Sequence, residues 1–153
     1  MKYFKFDMWK NINDDDKSTR NCADEKWMES QIEYSRFIDS LLKNKPWFNS
    51  IFEQTIEFHD ALIEKIQIEK PNIVKIHLSK HDKCWLVKYS DVTSFNMNSQ
   101  NFEPEFSLYS GEEYCWGYDE FDFNNELITH NILTDCGIEF YIESQKIEIL
   151  NQN

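Results

Sequence analysis

Ile73-Val74-Lys75-Ile76-His77-Leu78-Ser79-Lys80-His81-Asp82-Lys83-Cys84-Trp85-Leu86-Val87-Lys88-Tyr89 decides the fold. Val74, Ile76 and Leu78 alternate with Lys75, His77 and Ser79. His81-Asp82 supplies a turn, and Trp85, Val87 and Tyr89 resume the alternation. A period of two gives each segment one apolar face, and a short polar break between two such segments is a hairpin. Upstream, Leu62, Ile66 and Ile68 share a face, with Glu64 as the discordant member, and Pro71-Asn72 turns the chain. The spacing therefore predicts a three-stranded antiparallel meander from Ala61 to Tyr89.

Downstream, Asn96 to Gly111 is polar, contains Pro104 and Gly111, and reads as a long loop. Tyr114, Trp116 and Tyr118 then share one parity, Leu127 to Leu133 is rich in β-formers, and Asp135-Cys136-Gly137 turns the chain into Ile138, Phe140 and Ile142. Ile147 and Ile149 close the pattern. Before the meander the period is helical. Over Glu25 to Lys43, Trp27, Tyr34, Phe37, Ile38, Leu41 and Leu42 fall in one stripe opposite Glu29, Glu33, Arg36, Asp39 and Lys43, with Asp24 as N-cap. Asn44-Lys45-Pro46 breaks this helix. Pro46 opens a second, shorter one carrying Trp47, Phe48, Ile51 and Phe52 and ending near Thr55 to Phe58. Residues 1–9 form a short strand or a packed arm, and Asn13-Asp14-Asp15-Asp16 is an exposed loop. The reading is one α+β domain spanning 1–153, with two N-terminal helices packed on an antiparallel sheet of about six strands.

Charge is unevenly placed. Residues 1–88 carry 15 Lys+Arg and 15 Asp+Glu, whereas residues 89–145 carry 12 Asp+Glu and no Lys or Arg, so the net −12 belongs to one segment. On folding, these acids are expected to make one continuous negative face. Such a field repels phosphate backbones and anionic membrane surfaces and favours cationic partners. No apolar run reaches transmembrane length and the first residues do not form a secretory signal, which points to a cytoplasmic protein. Cys22, Cys84, Cys115 and Cys136 are far apart, without a Cys-x-x-Cys pair, and read as reduced, mostly buried thiols.

The acids concentrate in Glu112-Glu113-Tyr114-Cys115-Trp116-Gly117-Tyr118-Asp119-Glu120-Phe121-Asp122-Phe123. Two readings of its aromatics stand side by side. Tyr114, Trp116 and Tyr118 form the core face of a strand with solvated acids outside, or some of them are exposed as anchors among the acids. On the second reading, Glu112, Glu113, Asp119, Glu120 and Asp122 steer a basic partner and Trp116 and Tyr118 anchor it. Nothing marks one carboxylate as an acid/base catalyst, no Gly-rich phosphate loop or Gly-x-Ser-x-Gly elbow exists, and Cys115 has no basic neighbour to activate it. His59-Asp60 is the dipeptide used by metal-dependent phosphohydrolases. The remaining histidines, His77, His81 and His130, lie on strands or turns, so Asp60 is read as a structural acceptor of backbone N–H bonds at the helix-to-strand junction and no metal is assigned.

Phe58-His59-Asp60-Ala61 before an Ile-rich strand resembles a Leu-His-Asp-Ala/Cys junction. Trp116-Gly117-Tyr118-Asp119-Glu120-Phe121 resembles a Trp-x-Tyr-Asp/Glu-Glu-Ile strand, and His130-Asn131-Ile132-Leu133 followed by Ile138 to Ile149 resembles a closing hairpin of the same group. Met1-Lys2-Tyr3-Phe4 fits its usual start. These features are similar to the DUF4085-like bacterial families, some of whose relatives look like immunity proteins of polymorphic toxin systems. The resemblance covers 1–10 and 56–150 and supplies no catalytic residues. With the charge pattern, it implies a non-enzymatic binding domain that neutralises a cationic, nuclease-type toxin without cofactor or metal. The reading from another class is a small enzyme or small-molecule binding domain using carboxylates of 112–122.

Overall fold

The computed structural model describes residues 1–103 and 114–152. The alternation over 73–89 becomes β2 (Ile73–Lys80) and β3 (Lys83–Asn98), paired antiparallel with Val74 opposite Tyr89, Ile76 opposite Val87 and Leu78 opposite Trp85. All six side chains are buried. Around this hairpin stand β1 (Ala61–Glu69), β4 (Cys115–Asn124), β5 (Leu127–Thr134) and β6 (Glu139–Asn151). Every neighbouring pair is antiparallel, and the order β1-β2-β3-β6-β5-β4 closes into a barrel. With helices α1 (Phe6–Ile12), α2 (Lys17–Asn44) and α3 (Asn49–Thr55) before it, the protein is α+β with a six-strand antiparallel sheet.

The described ladders carry three register shifts, one of them between Val92 and Ser94 in β3, and the other two decide which side chains of β1 and β4 face inward. In β1 the register shifts between Ile63 and Lys65, so Ile63 opposes Leu78 and Ile66 opposes Ile76. A bulge adds one residue to one strand and reverses the parity beyond it. Ile63, rather than the expected Leu62, therefore joins Ile66 on the inner face, and the discordant Glu64 sits at the bulge. In β4 the register shifts between Trp116 and Tyr118. Gly117 allows this, because a Cβ there would lie 2.9 Å from the Leu133 carbonyl oxygen. Beyond it, Asp119, Phe121 and Phe123 oppose Ile132, His130 and Ile128. The single face expected for Tyr114, Trp116 and Tyr118 is thereby broken.

Among the described residues β4 pairs with β1 at Ala61–Trp116 and Leu62–Cys115, flanked by the Asp60 N–H donating to the Trp116 carbonyl at 2.8 Å and the Ile63 N–H to the Tyr114 carbonyl at 3.0 Å. Past that seam the β4 edge is served by α2. The Phe121 N–H donates to the Tyr34 hydroxyl at 2.8 Å, and a side chain stands in for a missing strand.

The helical part departs from expectation at its boundaries. α2 begins at Lys17, capped by Asp16, whose carboxylate accepts the Thr19 N–H at 2.8 Å and the Ser18 hydroxyl at 2.5 Å; these bonds hold its pKa down at about 2. Asp24 lies inside the helix. The first two turns bury only Ala23, so no apolar stripe marks them, and only the cap does. Residues 6–12 are a helix, and only residues 1–5 form an arm. α3 is bracketed by 3-10 turns at Pro46–Phe48 and Ile56–Phe58. β3 runs through Asn96 to Asn98, into the expected loop, because β6 continues to pair with it as far as Glu139. Of the rest of that loop, 104–111 lies outside the described residues. Cys115 and Cys136 are buried as expected, but Cys22 and Cys84 are exposed. Among the described residues no helix is long and apolar enough to cross a membrane.

Candidate functional site

The β4 bulge divides the acidic stretch. Glu112 and Glu113 lie outside the described residues. Trp116 is fully buried, packed edge-on against Phe58 with ring centroids 5.3 Å apart, so it is a core residue and not an exposed anchor. Tyr118 is half-buried, wedged between Trp27 at 4.6 Å and Phe4 at 5.5 Å. Glu120, expected on the steering surface, is only 4% exposed. It accepts the N–H groups of Lys2 at 2.7 Å and of Tyr3 and Phe4 at 2.6 Å each, and so clamps the N-terminal arm. A carboxylate that gathers several backbone donors is well solvated by protein and unavailable to a partner. Asp122 is exposed.

The other acids of 89–145 are sorted in the same way. Asp135 is buried and accepts the Cys115 N–H at 2.9 Å. Glu103 pairs with Lys10 at 2.7 Å, and Glu143 accepts the Thr93 hydroxyl at 2.6 Å. Asp91 and Glu126 are exposed. The one continuous negative face is thus thinned, since Asp119, Glu120 and Asp135 are turned to internal work.

Asp119 belongs to a chain of polar groups that the sequence reading missed. Its Oδ2 lies 2.9 Å from His130 Nε2, and His130 Nδ1 lies 2.8 Å from the Tyr89 hydroxyl. His130 is wholly buried, stacked on Phe121 at 3.8 Å. Burial pushes its pKa down, opposed by the hydrogen bond to Asp119. The neutral ring then donates Nε2–H to Asp119 and accepts the Tyr89 O–H at Nδ1, while burial likewise raises Tyr89 and keeps its proton in place. A signal existed: His130 alternates with Ile128 and Ile132, and a polar residue on a buried strand face needs partners. Because the native pKa lies below the unfolded value, the unfolded chain takes up a proton that native His130 refuses as pH falls below about 6.5. Stability should therefore drop between pH 7 and 5.5, and His130→Gln should flatten that part of the curve in denaturant titrations. An unchanged slope would exclude His130 as its source.

At the β4 edge, Asp119 also reaches a cleft of about 200 Å³. Its walls come from the arm (Phe4), α2 (Tyr34), α3 and the following turn (Phe52, Thr55, Ile56), His59, and the Gly117–Tyr118 bulge. Among the described residues the lining holds one carboxylate and no Lys or Arg. His59, about half exposed, sits 4.8 Å from the Tyr118 ring and 3.1 Å from Asp60 Oδ1. The junction bond expected of the Asp60 carboxylate is instead made by its backbone N–H, at a φ of 63°. Among the described residues no group of three or more His, Cys, Asp or Glu is arranged to hold a metal ion.

No family model matches the chain, and no curated protein does. A solved structure of an uncharacterised protein from Neisseria gonorrhoeae is similar at 18% identity and a TM-score of 0.42, over 60% of this chain and 91% of that one.

Proposed function

We propose that the protein is a non-enzymatic binding domain of the immunity-protein type, which neutralises a cationic, nuclease-type toxin domain in the cytoplasm. One observation carries this reading. The described part of the segment without Lys or Arg, 89–145, contributes the end of β3, β4, β5 and the start of β6, strands adjacent in the barrel, so a local feature of sequence becomes a wall with no Lys or Arg of its own, met from outside by Lys45 over the Phe123 ring at 4.6 Å and by Lys2 near Asp122. Asp122 and Glu126 are exposed on it and Asp119 opens into its edge cleft. A nuclease is basic around its substrate cleft, and an inhibitor acidic on the facing surface gains association rate. The helices, packed beside β4, serve as the backing layer that holds this wall. Binding needs no cofactor or metal. A second reading, a small-molecule binding domain, is favoured by the same cleft with its carboxylate.

The test is capture of the neighbouring gene's product, followed by binding kinetics at two salt concentrations. Charge reversal to Lys at Glu112, Glu113, Asp122 and Glu126 should slow association by about ten-fold or more at low salt. The effect should fade at physiological salt, where screening acts over about 8 Å. Association indifferent to both salt and reversal would sink electrostatic steering.

A further inference from the structure

We propose that the Asp119 cleft is a socket for a single guanidinium or alkylammonium group. The proposal rests on the basic-partner reading for the source of the cation, but not for the socket itself. The walls are aromatic, with Phe4, Tyr34, Phe52 and Tyr118 around an opening of about 200 Å³. That space suits one planar or tetrahedral cationic head and falls below the roughly 300–1,000 Å³ typical of pockets that enclose a drug-sized ligand. Ring faces attract cations, most strongly where water is displaced.

The carboxylate is set up to receive such a group. Asp119 is 16% exposed, and His130 fixes Oδ2 from behind. Oδ1 has only a long contact, 3.5 Å, to Trp116 Nε1, and so retains capacity for a ligand donor. The neutral imidazole contributes a hydrogen bond but no countercharge. No Lys or Arg is among the described lining residues, and Lys80, which donates to the carbonyl of the lining residue His59, is engaged there. A partly buried carboxylate without a countercharge gains from a cation that brings both charge and donors.

The experiment titrates the full chain, at pH 7.5, with ethylguanidinium, ethylammonium and the neutral isostere N-ethylurea, read by NMR. Saturable shifts confined to cleft residues are expected with the two cations, with N-ethylurea at least about ten-fold weaker. Asp119→Asn should weaken cation binding by about ten-fold or more, while Glu25→Gln on the exposed side of α2 leaves it unchanged. Should Asp119→Asn fail to fold, by near-ultraviolet circular dichroism, Phe52→Leu carries the test, since it keeps bulk and removes the ring. Equal response to urea and cations, or full binding by folded Asp119→Asn or by Phe52→Leu, would overturn the socket. The captured basic protein separates the sources. If ethylguanidinium displaces it and Asp119→Asn speeds its dissociation, the socket takes a partner Arg or Lys. If it binds unaffected by Asp119→Asn while ethylguanidinium still fills the cleft, the socket takes a free amine. Capture of a partner without cation binding would sink the socket and leave the acidic-wall reading intact. Cation binding without any captured partner would do the reverse.

Discussion

Glu120→Ala should lower the thermal midpoint by about 6–12 °C. The carboxylate takes three backbone N–H groups at 2.6–2.7 Å from the arm, and two of those bonds are buried. Removing it strands buried donors, at a cost of about 3 kcal/mol, and a chain of this size loses roughly 2–4 °C per kcal/mol. The damage spreads through packing. Tyr3 and Phe4 are buried on α2, with Tyr3 5.2 Å from Tyr34 and Phe4 5.1 Å from Trp27, and Phe4 is also a wall of the Asp119 cleft. Glu120→Gln should fall between, because its carbonyl oxygen can still serve the Tyr3 and Phe4 N–H groups while its amide turns donors toward Lys2. Amide exchange of residues 2–4 is the direct readout. A midpoint within a degree of wild type, with those amides still protected, would show that Glu120 does not hold the arm.

Trp116→Ala should cost about 3–5 kcal/mol, the range for deleting a large aromatic from a close-packed interior, and lower the midpoint by roughly 6–20 °C. Trp116 has no exposed surface, and it lies against Phe58 and 5.4 Å from the His130 ring. Trp116→Phe should recover much of the loss, since a smaller aromatic leaves a smaller cavity. An interface anchor would behave oppositely, sparing the midpoint and speeding partner dissociation. A stable Trp116→Ala with fast dissociation would return this residue to the surface reading.

The legible parts of the fold were those written in local periodicity. Val74 to Tyr89 showed its strands because alternation and turn residues agree there, and Trp27 to Leu42 showed its helix because one stripe is apolar. What stayed hidden depends on distant partners. The bulge at Gly117 is a register choice made against Leu133, and it alone decides that Asp119 turns inward and that Trp116 and Tyr118 part company. α1 has seven residues, too few for a repeating stripe to declare itself. The early start of α2 was signalled only by Asp16 standing before Ser18 and Thr19. For the site, acidity was visible but its allocation was not. Glu120 and Asp122 read alike in sequence, and only the arm crossing β4 makes one a clamp and leaves the other in solvent. Tyr34 and Tyr89 gave no sign at all, since a hydroxyl at a core position looks like any other aromatic.

The seam between β1 and β4 sets where the molecule breathes. A ring of strands opens at its weakest stitch, and among the described residues that stitch is the short β1–β4 ladder, Ala61–Trp116 and Leu62–Cys115 with its flanking bonds from Asp60 and Ile63, while the β3–β6 ladder runs from Trp85 to Asn98. Partial opening needs only the short ladder to part, well below the cost of global unfolding. What such an excursion uncovers is a ribbon with a free edge, Cys115 to Asn124, rich in aromatic residues and adhesive toward any other strand. The Tyr34 hydroxyl on Phe121 and the arm held by Glu120 therefore act as a hasp across a door that the sheet closes only loosely. The same residues that shape the cleft restrain the protein from pairing with itself.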